Sequence, residues 1–234
     1  MFTQKFQAWV RKWAERLVSV FRDSPLTPNM LTLFGLVITA AGAAVLGLGQ
    51  LFIAGVILLF AGLFDIFDGA LARASGKVYR YGAFLDSTVD RYSEGLIYLG
   101  LLVFFRGKTL QTVLVLLALA GSFLVSYVRA RAQSLGFKCD VGVLARPERV
   151  VIIVAGLLLD PILPIGGYHV VLTLALVVLA VGTNFTAVQR VFDVWQQNRD
   201  ELRAQRRQPL AAPADDAGTP TPPRPAKRRF FETP

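Results

Sequence analysis

The 234-residue chain has one cysteine, Cys139, and one histidine, His169. A lone cysteine excludes an intrachain disulfide framework and a cysteine-ligated zinc site, and a lone histidine excludes multi-histidine metal centres. Charge is scarce too: 18% of residues are charged, against about 25% in soluble domains. Apolar residues fill the space, 54% of the chain with a mean hydropathy of +0.51. That balance excludes a soluble globule and implies an integral membrane protein. The charge that remains leans one way, 25 lysines and arginines against 16 acidic residues, for a net +9. Any catalytic chemistry has to rest largely on carboxylates and arginines.

Residues 1–22 put Phe2, Phe6, Trp9, Val10, Trp13 and Leu17 at helical spacing, with Lys5, Arg11, Lys12, Arg16 and Arg22 on the remaining face. This predicts an amphipathic helix lying in the membrane interface. Six apolar segments follow, Met30–Gly49, Leu51–Ala70, Phe84–Phe105, Leu110–Val128, Val150–Leu163 and Tyr168–Val188. Several reach the roughly 20 residues a bilayer crossing needs; the fifth is short. Arg73, Lys77 and Arg80 follow the second segment, and Arg129, Arg131, Lys138, Arg146 and Arg149 separate the fourth from the fifth. With six spans, these clusters share a side with the basic N-terminus. The other side offers only Arg106, Lys108, Asp160 and His169. The positive-inside rule makes the arginine-rich side cytoplasmic, in a multi-pass plasma-membrane protein. The expected organisation is an interfacial helix over 1–22, an all-α six-span membrane domain over 23–198 and a disordered, basic, proline-rich tail over 199–234.

Four aspartates interrupt the apolar pattern. Asp65 and Asp68 are spaced i, i+3 at the end of the second segment, and Asp86 and Asp90 i, i+4 at the start of the third, so each pair shares a helix face. A charge within a membrane-spanning helix costs about 2.5–3.5 kcal/mol on the insertion scale, so such residues point to function. Protonation, pairing with Arg73 or Arg91, or a metal could neutralise the four. Hard divalent cations take oxygen ligands, and a two-metal site suits phosphoryl-type displacement. Gly69 and Gly82 beside these pairs permit close approach of a helix or a nucleotide.

The pattern Asp65-x-x-Asp68-Gly69-x-x-Ala72-Arg73, then Gly82-x-x-x-Asp86-x-x-x-Asp90, resembles the complete signature of the CDP-alcohol phosphotransferase family. The resemblance implies six membrane spans preceded by an interfacial helix. It implies two divalent ions, Mg²⁺ or Mn²⁺, held by Asp65, Asp68, Asp86 and Asp90, with Asp90 also the general base. It further implies a CDP-diacylglycerol site at Gly69, Ala72 and Arg73, with Tyr79 where a small hydroxyl residue often contacts the nucleotide. The turn Thr27-Pro28-Asn29 followed by Met30 and Leu31 resembles the family's entry into its first span, where the nucleotide also rests. A carboxylate near the metals can accept the acceptor hydroxyl's proton as that oxygen attacks the lipid-side phosphorus.

The family uses many acceptor alcohols. Arginines gathered at the end of an apolar span fit an anionic, phosphorylated one, although flanking charge alone accounts for several of them. The blocks around Ser126–Arg131, Arg146–Arg149 and Gln189–Trp195 are similar to those of phosphatidylinositol phosphate synthases and their archaeal counterparts. That resemblance implies an inositol-phosphate pocket of Ser126, Arg129, Arg149 and Arg190, with Arg146 nearby. Arg129 departs from the lysine usual there, and Ala145 from an acidic residue. Glycerol 3-phosphate, as in phosphatidylglycerophosphate synthases, is the rival acceptor. A divalent-cation transporter or a membrane scaffold are readings of other classes. The expected partners are CDP-diacylglycerol, a phosphorylated polyol, membrane lipid and a second copy of the chain in a homodimer, with no nucleic acid.

Overall fold

The computed structural model describes residues 27–74, 80–163 and 169–207, with the side chains of 28, 66–74 and 205–207 outside that description. The expected interfacial helix over 1–22, Tyr79 and the tail beyond 207 therefore lie outside the described residues. Those that are described form helices and connecting turns with no strand: α1 Pro28–Gly47, α2 Leu51–Ala74, α3 Arg80–Phe104, α4 Thr109–Ser134, α5 Arg146–Leu159 and α6 Val170–Arg207.

Local sequence explains the boundaries. Thr27, in extended conformation, caps α1 by accepting a hydrogen bond from the Met30 amide at 3.3 Å, and Pro28 occupies the first turn, where its missing N–H costs nothing. Gly49, at φ 88°, turns the chain into α2. Pro147 opens α5 in the same way. The last helix runs to Arg207, past Arg199 where the polar tail was expected to begin. Residues 199–207 are rich in Arg, Glu, Leu, Ala and Gln, good helix formers, and the first proline comes only at Pro209.

The chain divides into two compact units, residues 1–195 and 196–234. Within the first, α1 packs along α2 and α3, α2 against α5, and α3 against α4. Leu46, Leu58, Tyr98, Leu101, Leu157 and Leu176 centre one contiguous core. Small residues permit a close backbone crossing: a Cβ on Gly100 of α3 would stand 2.6 Å from the Ala43 carbonyl oxygen of α1. Several polar groups find partners inside the bundle, as an apolar surrounding favours. The Tyr98 hydroxyl meets the Ser122 hydroxyl at 3.0 Å, and the Asn184 amide donates to the Leu117 carbonyl at 3.1 Å. After α5, buried Asp160 accepts from the Leu172 amide at 3.1 Å and pairs with His169 Nδ1 at 2.6 Å. In the second unit, residues 196–207 are helical and Arg203 lies 3.8 Å from Asp200.

Many large apolar side chains face outward instead, among them Phe34, Val37, Phe60, Leu117 and Val181. Such a surface suits lipid rather than water. Three described helices are long and apolar enough to cross a membrane, over Asn29–Gly47, Thr109–Ser134 and Val170–Ala204, while the apolar stretch Leu51–Asp65 is shorter. The 14 residues of α5 extend about 21 Å at 1.5 Å per residue, against roughly 30 Å of hydrocarbon.

Candidate active site

The carboxylates meet between the C-terminal half of α2 and the N-terminal half of α3. Asp65 on α2 and Asp90 on α3 hold one guanidinium between them: Arg146 places Nη2 2.7 Å from Asp65 Oδ2 and Nη1 2.7 Å from Asp90 Oδ1. Arg91 adds a longer contact to Asp90 Oδ2 at 3.6 Å. Asp86, one turn before Asp90, is exposed and close enough to Asp65 and Asp90 to repel them. Gly35 of α1 lies beside Asp65. Asp68, Gly69, Ala72 and Arg73 fall on the following turns of α2, with undescribed side chains.

The entry of α1 approaches the same end. The Asn29 side-chain oxygen would stand 3.3 Å from a Cβ on Gly82, so the glycine of the second half-motif leaves room for it. Asn29 and Leu31 are half-buried and Met30 is exposed, while the side chain of Pro28 is outside the description.

One turn along α5 from Arg146, Arg149 is buried in a bidentate pair with Glu94. Its Nε lies 2.7 Å from Glu94 Oε1 and its Nη2 2.9 Å from Oε2, while Nη1 donates to the Leu144 carbonyl at 3.2 Å. The two side chains are 1% and 4% exposed. Arg190 on α6, also buried, donates to the carbonyls of Val125 and Val141 at 2.7 and 2.9 Å. Arg129 is exposed and pairs with Asp140 at 3.2 Å. Arg129 and Arg149 are near enough to Arg190 to repel it, so three of the expected arginines share one neighbourhood. Ser126 is half-buried on α4, a turn before Arg129. Arg146 instead joins the carboxylates. Buried Cys139 sits in the loop between α4 and α5, where burial pushes its thiol up against the opposing pull of Arg190.

Two participants escaped the reading from sequence, Glu94 and Asp140. Glu94 had a visible signal, since Asp86, Asp90 and Glu94 repeat every four residues along one face of α3. Asp140 had none, lying in an irregular loop.

Among the described residues no three His, Cys, Asp or Glu side chains are gathered as a metal site. The donor chemistry nevertheless fits a hard cation: the ligand atoms are carboxylate oxygens, and Asp65 and Asp90 already share a cationic group between them.

Carboxylates of two helices bridged by one arginine, beside further arginines, suit transfer of a phosphate-bearing group at a membrane. The sequence profile of CDP-alcohol phosphatidyltransferases matches residues 25–187, and the chain belongs to that family of transferases. Archaetidylinositol phosphate synthase of Methanothermobacter thermautotrophicus is 39% identical over 175 residues, covering 74% of this chain and 85% of that protein. The crystal structure of phosphatidylinositol phosphate synthase from Mycobacterium tuberculosis with CDP-DAG bound has a TM-score of 0.70 at 34% identity, over 78% of this chain and 93% of that one. The same enzyme in complex with manganese and citrate gives 0.71 at 34% identity, over 78% and 88%.

Proposed function

We propose that the chain transfers the phosphatidyl group of CDP-diacylglycerol to the hydroxyl of inositol 1-phosphate, with release of CMP. The observation that carries this is the shared neighbourhood of Arg129, Arg149 and Arg190 next to the carboxylate end of α3. Glu94 and Asp140 offset Arg149 and Arg129, while Arg190 donates to two backbone carbonyls, so a phosphorylated acceptor would supply the anionic charge that this arginine group still accommodates. The relatives support the same acceptor class, since those named above act in making inositol-phosphate lipids.

Asp65, Asp68, Asp86 and Asp90 would hold two divalent cations, Mg²⁺ or Mn²⁺, whose charge would offset that of the donor's pyrophosphate. Asp90 takes the proton from the acceptor hydroxyl as its oxygen attacks the lipid-side phosphorus. Pro28, Asn29, Met30, Leu31, Gly69, Ala72, Arg73 and Tyr79 form the CDP-diacylglycerol site. Ser126, Arg129 and Arg190 receive the acceptor phosphate with Arg149, which Glu94 orients, and Arg146 lies at the border with the carboxylates. Helices α1 to α6 cross the plasma membrane with the carboxylates toward the cytoplasm, supported by the one-sided basic residues. Residues 1–22 lie in the interface, 23–198 form the membrane domain, 199–234 are a solvated tail, and two copies pair as a homodimer.

The test is release of CMP from CDP-diacylglycerol with Mg²⁺ and a panel of acceptors. Inositol 1-phosphate is expected to react while free inositol and glycerol 3-phosphate do not. Reaction with glycerol 3-phosphate alone would overturn the acceptor, and no release with any would overturn the transfer. Asp90→Asn is expected to lose at least a hundredfold in turnover, at the low end of what general-base catalysis contributes, roughly 10²–10⁴.

A further inference from the structure

Arg146 has an unusual set of contacts. It opens α5, yet its guanidinium reaches both Asp65 on α2 and Asp90 on α3, so one side chain ties three helices together at the site. Its buried Nε has no hydrogen-bond partner among the described residues. A buried polar nitrogen normally has a partner, and each nitrogen of Arg149 has one in Glu94 or the Leu144 carbonyl. The two arginines are one turn apart and face carboxylates one turn apart, Asp90 and Glu94. Arg149 is locked in a buried fork, whereas the Arg146 side chain is 26% exposed. One pair anchors the start of α5, and the other has room to exchange.

The oxygens that Arg146 holds, Asp65 Oδ2 and Asp90 Oδ1, belong to the carboxylates that would ligate a divalent ion. A divalent ion held by those oxygens would stand close to the guanidinium that now occupies them, and two cations that close repel. They cannot share the same oxygens without cost.

We propose that Arg146 is the resident counter-ion of the carboxylate cluster, a positioning residue that holds α2, α3 and α5 together until a divalent cation displaces it. This rests on the metal-dependent transfer proposed above. Arg146 therefore lowers the apparent affinity for the cation, because every ion that binds must first break its two pairs. It also keeps Asp65, Asp86 and Asp90 from driving the helix ends apart when no cation is bound.

Two consequences of opposite sign follow for Arg146→Gln in the full-length protein, purified in detergent and stripped of metal. Its melting temperature is expected to fall below that of the unsubstituted chain, since the carboxylates lose their counter-ion. Its affinity for Mn²⁺, read from the electron paramagnetic resonance signal of the free ion, is expected to rise by on the order of tenfold, as two part-exposed ion pairs no longer compete. Arg146→Lys, whose ammonium cannot bridge as a planar fork does, is expected to bind Mn²⁺ more tightly than the unsubstituted chain and less tightly than the glutamine variant. Should the glutamine variant fail to fold, the lysine variant alone carries the comparison. Unchanged or weakened Mn²⁺ binding in the folded variants overturns the inference. Absence of Mn²⁺ binding by the unsubstituted chain overturns the metal-dependent reading itself, and the inference with it.

Discussion

Burying Glu94 and Arg149 together sets up a balance in which each charge is tolerable only through the other. Both are nearly inaccessible and joined by two short hydrogen bonds. Breaking such a pair from one side costs about 3–5 kcal/mol, because an uncompensated charge stays behind, whereas replacing both partners with apolar residues is often nearly neutral. Glu94→Gln is therefore expected to lower the melting temperature sharply. A double variant, Glu94→Leu with Arg149→Met, is expected to recover most of that loss without recovering CMP release, since Arg149 is gone from the acceptor pocket. Recovery of both would make the pair a packing device only. Sequence reaches part of this scale. Asp65, Asp86 and Asp90 stand out because charge is rare and expensive in their surroundings, so their type and spacing alone mark them. Which arginine each one meets was not legible: Arg146 and Asp65 are 81 residues apart and Arg149 and Glu94 are 55 apart, and only the packing of α5 brings them together.

At the level of helices, the bundle depends on how closely α1 can approach α3. Gly100 lies against the Ala43 backbone, and a side chain there meets a carbonyl oxygen that has no rotamer to change. Gly100→Leu is expected to destabilise the protein by about 1–3 kcal/mol, the usual range for overpacking, measured by thermal melting in detergent. A melting temperature equal to that of the unsubstituted chain would show that the two helices can separate freely. Helix starts were legible where cap and proline chemistry is local, as at Thr27-Pro28. The start of α5 was placed four residues late, at Val150 instead of Arg146, because hydropathy registers apolar residues and passes over Arg146-Pro147-Glu148-Arg149. Those four residues form its first turn and carry two of the site arginines.

For the whole molecule, the proposed six crossings, an even number, would return both termini to one side. With the basic clusters cytoplasmic, a green fluorescent protein fused after the C-terminus is expected to fluoresce. Alkaline phosphatase inserted at Lys108 is expected to be active and, inserted at Lys138, inactive. An active phosphatase at Lys138 would invert the proposed orientation. The membrane class could be read from composition alone. Six crossings were expected and three described helices are long and apolar enough to cross, while α2 and α3 combine an apolar part with the charges that gather at the site.

The brevity of α5 bears on where two solvents meet. A helix about 21 Å long covers roughly two thirds of a hydrocarbon core, and this one begins with Arg146 and Arg149. Set within the bilayer, its helical part alone does not reach both surfaces, and non-helical residues complete the crossing proposed above. If the arginine end is the recessed one, the protein forms a shallow bay whose floor is charged and whose rim is greasy. A sugar phosphate could descend into that bay without leaving water, and a diacylglycerol donor could reach it from the side without leaving lipid. The missing turns of one helix would thus create a phase boundary inside the protein, across which a water-soluble and a lipid-soluble reactant can come within bonding distance.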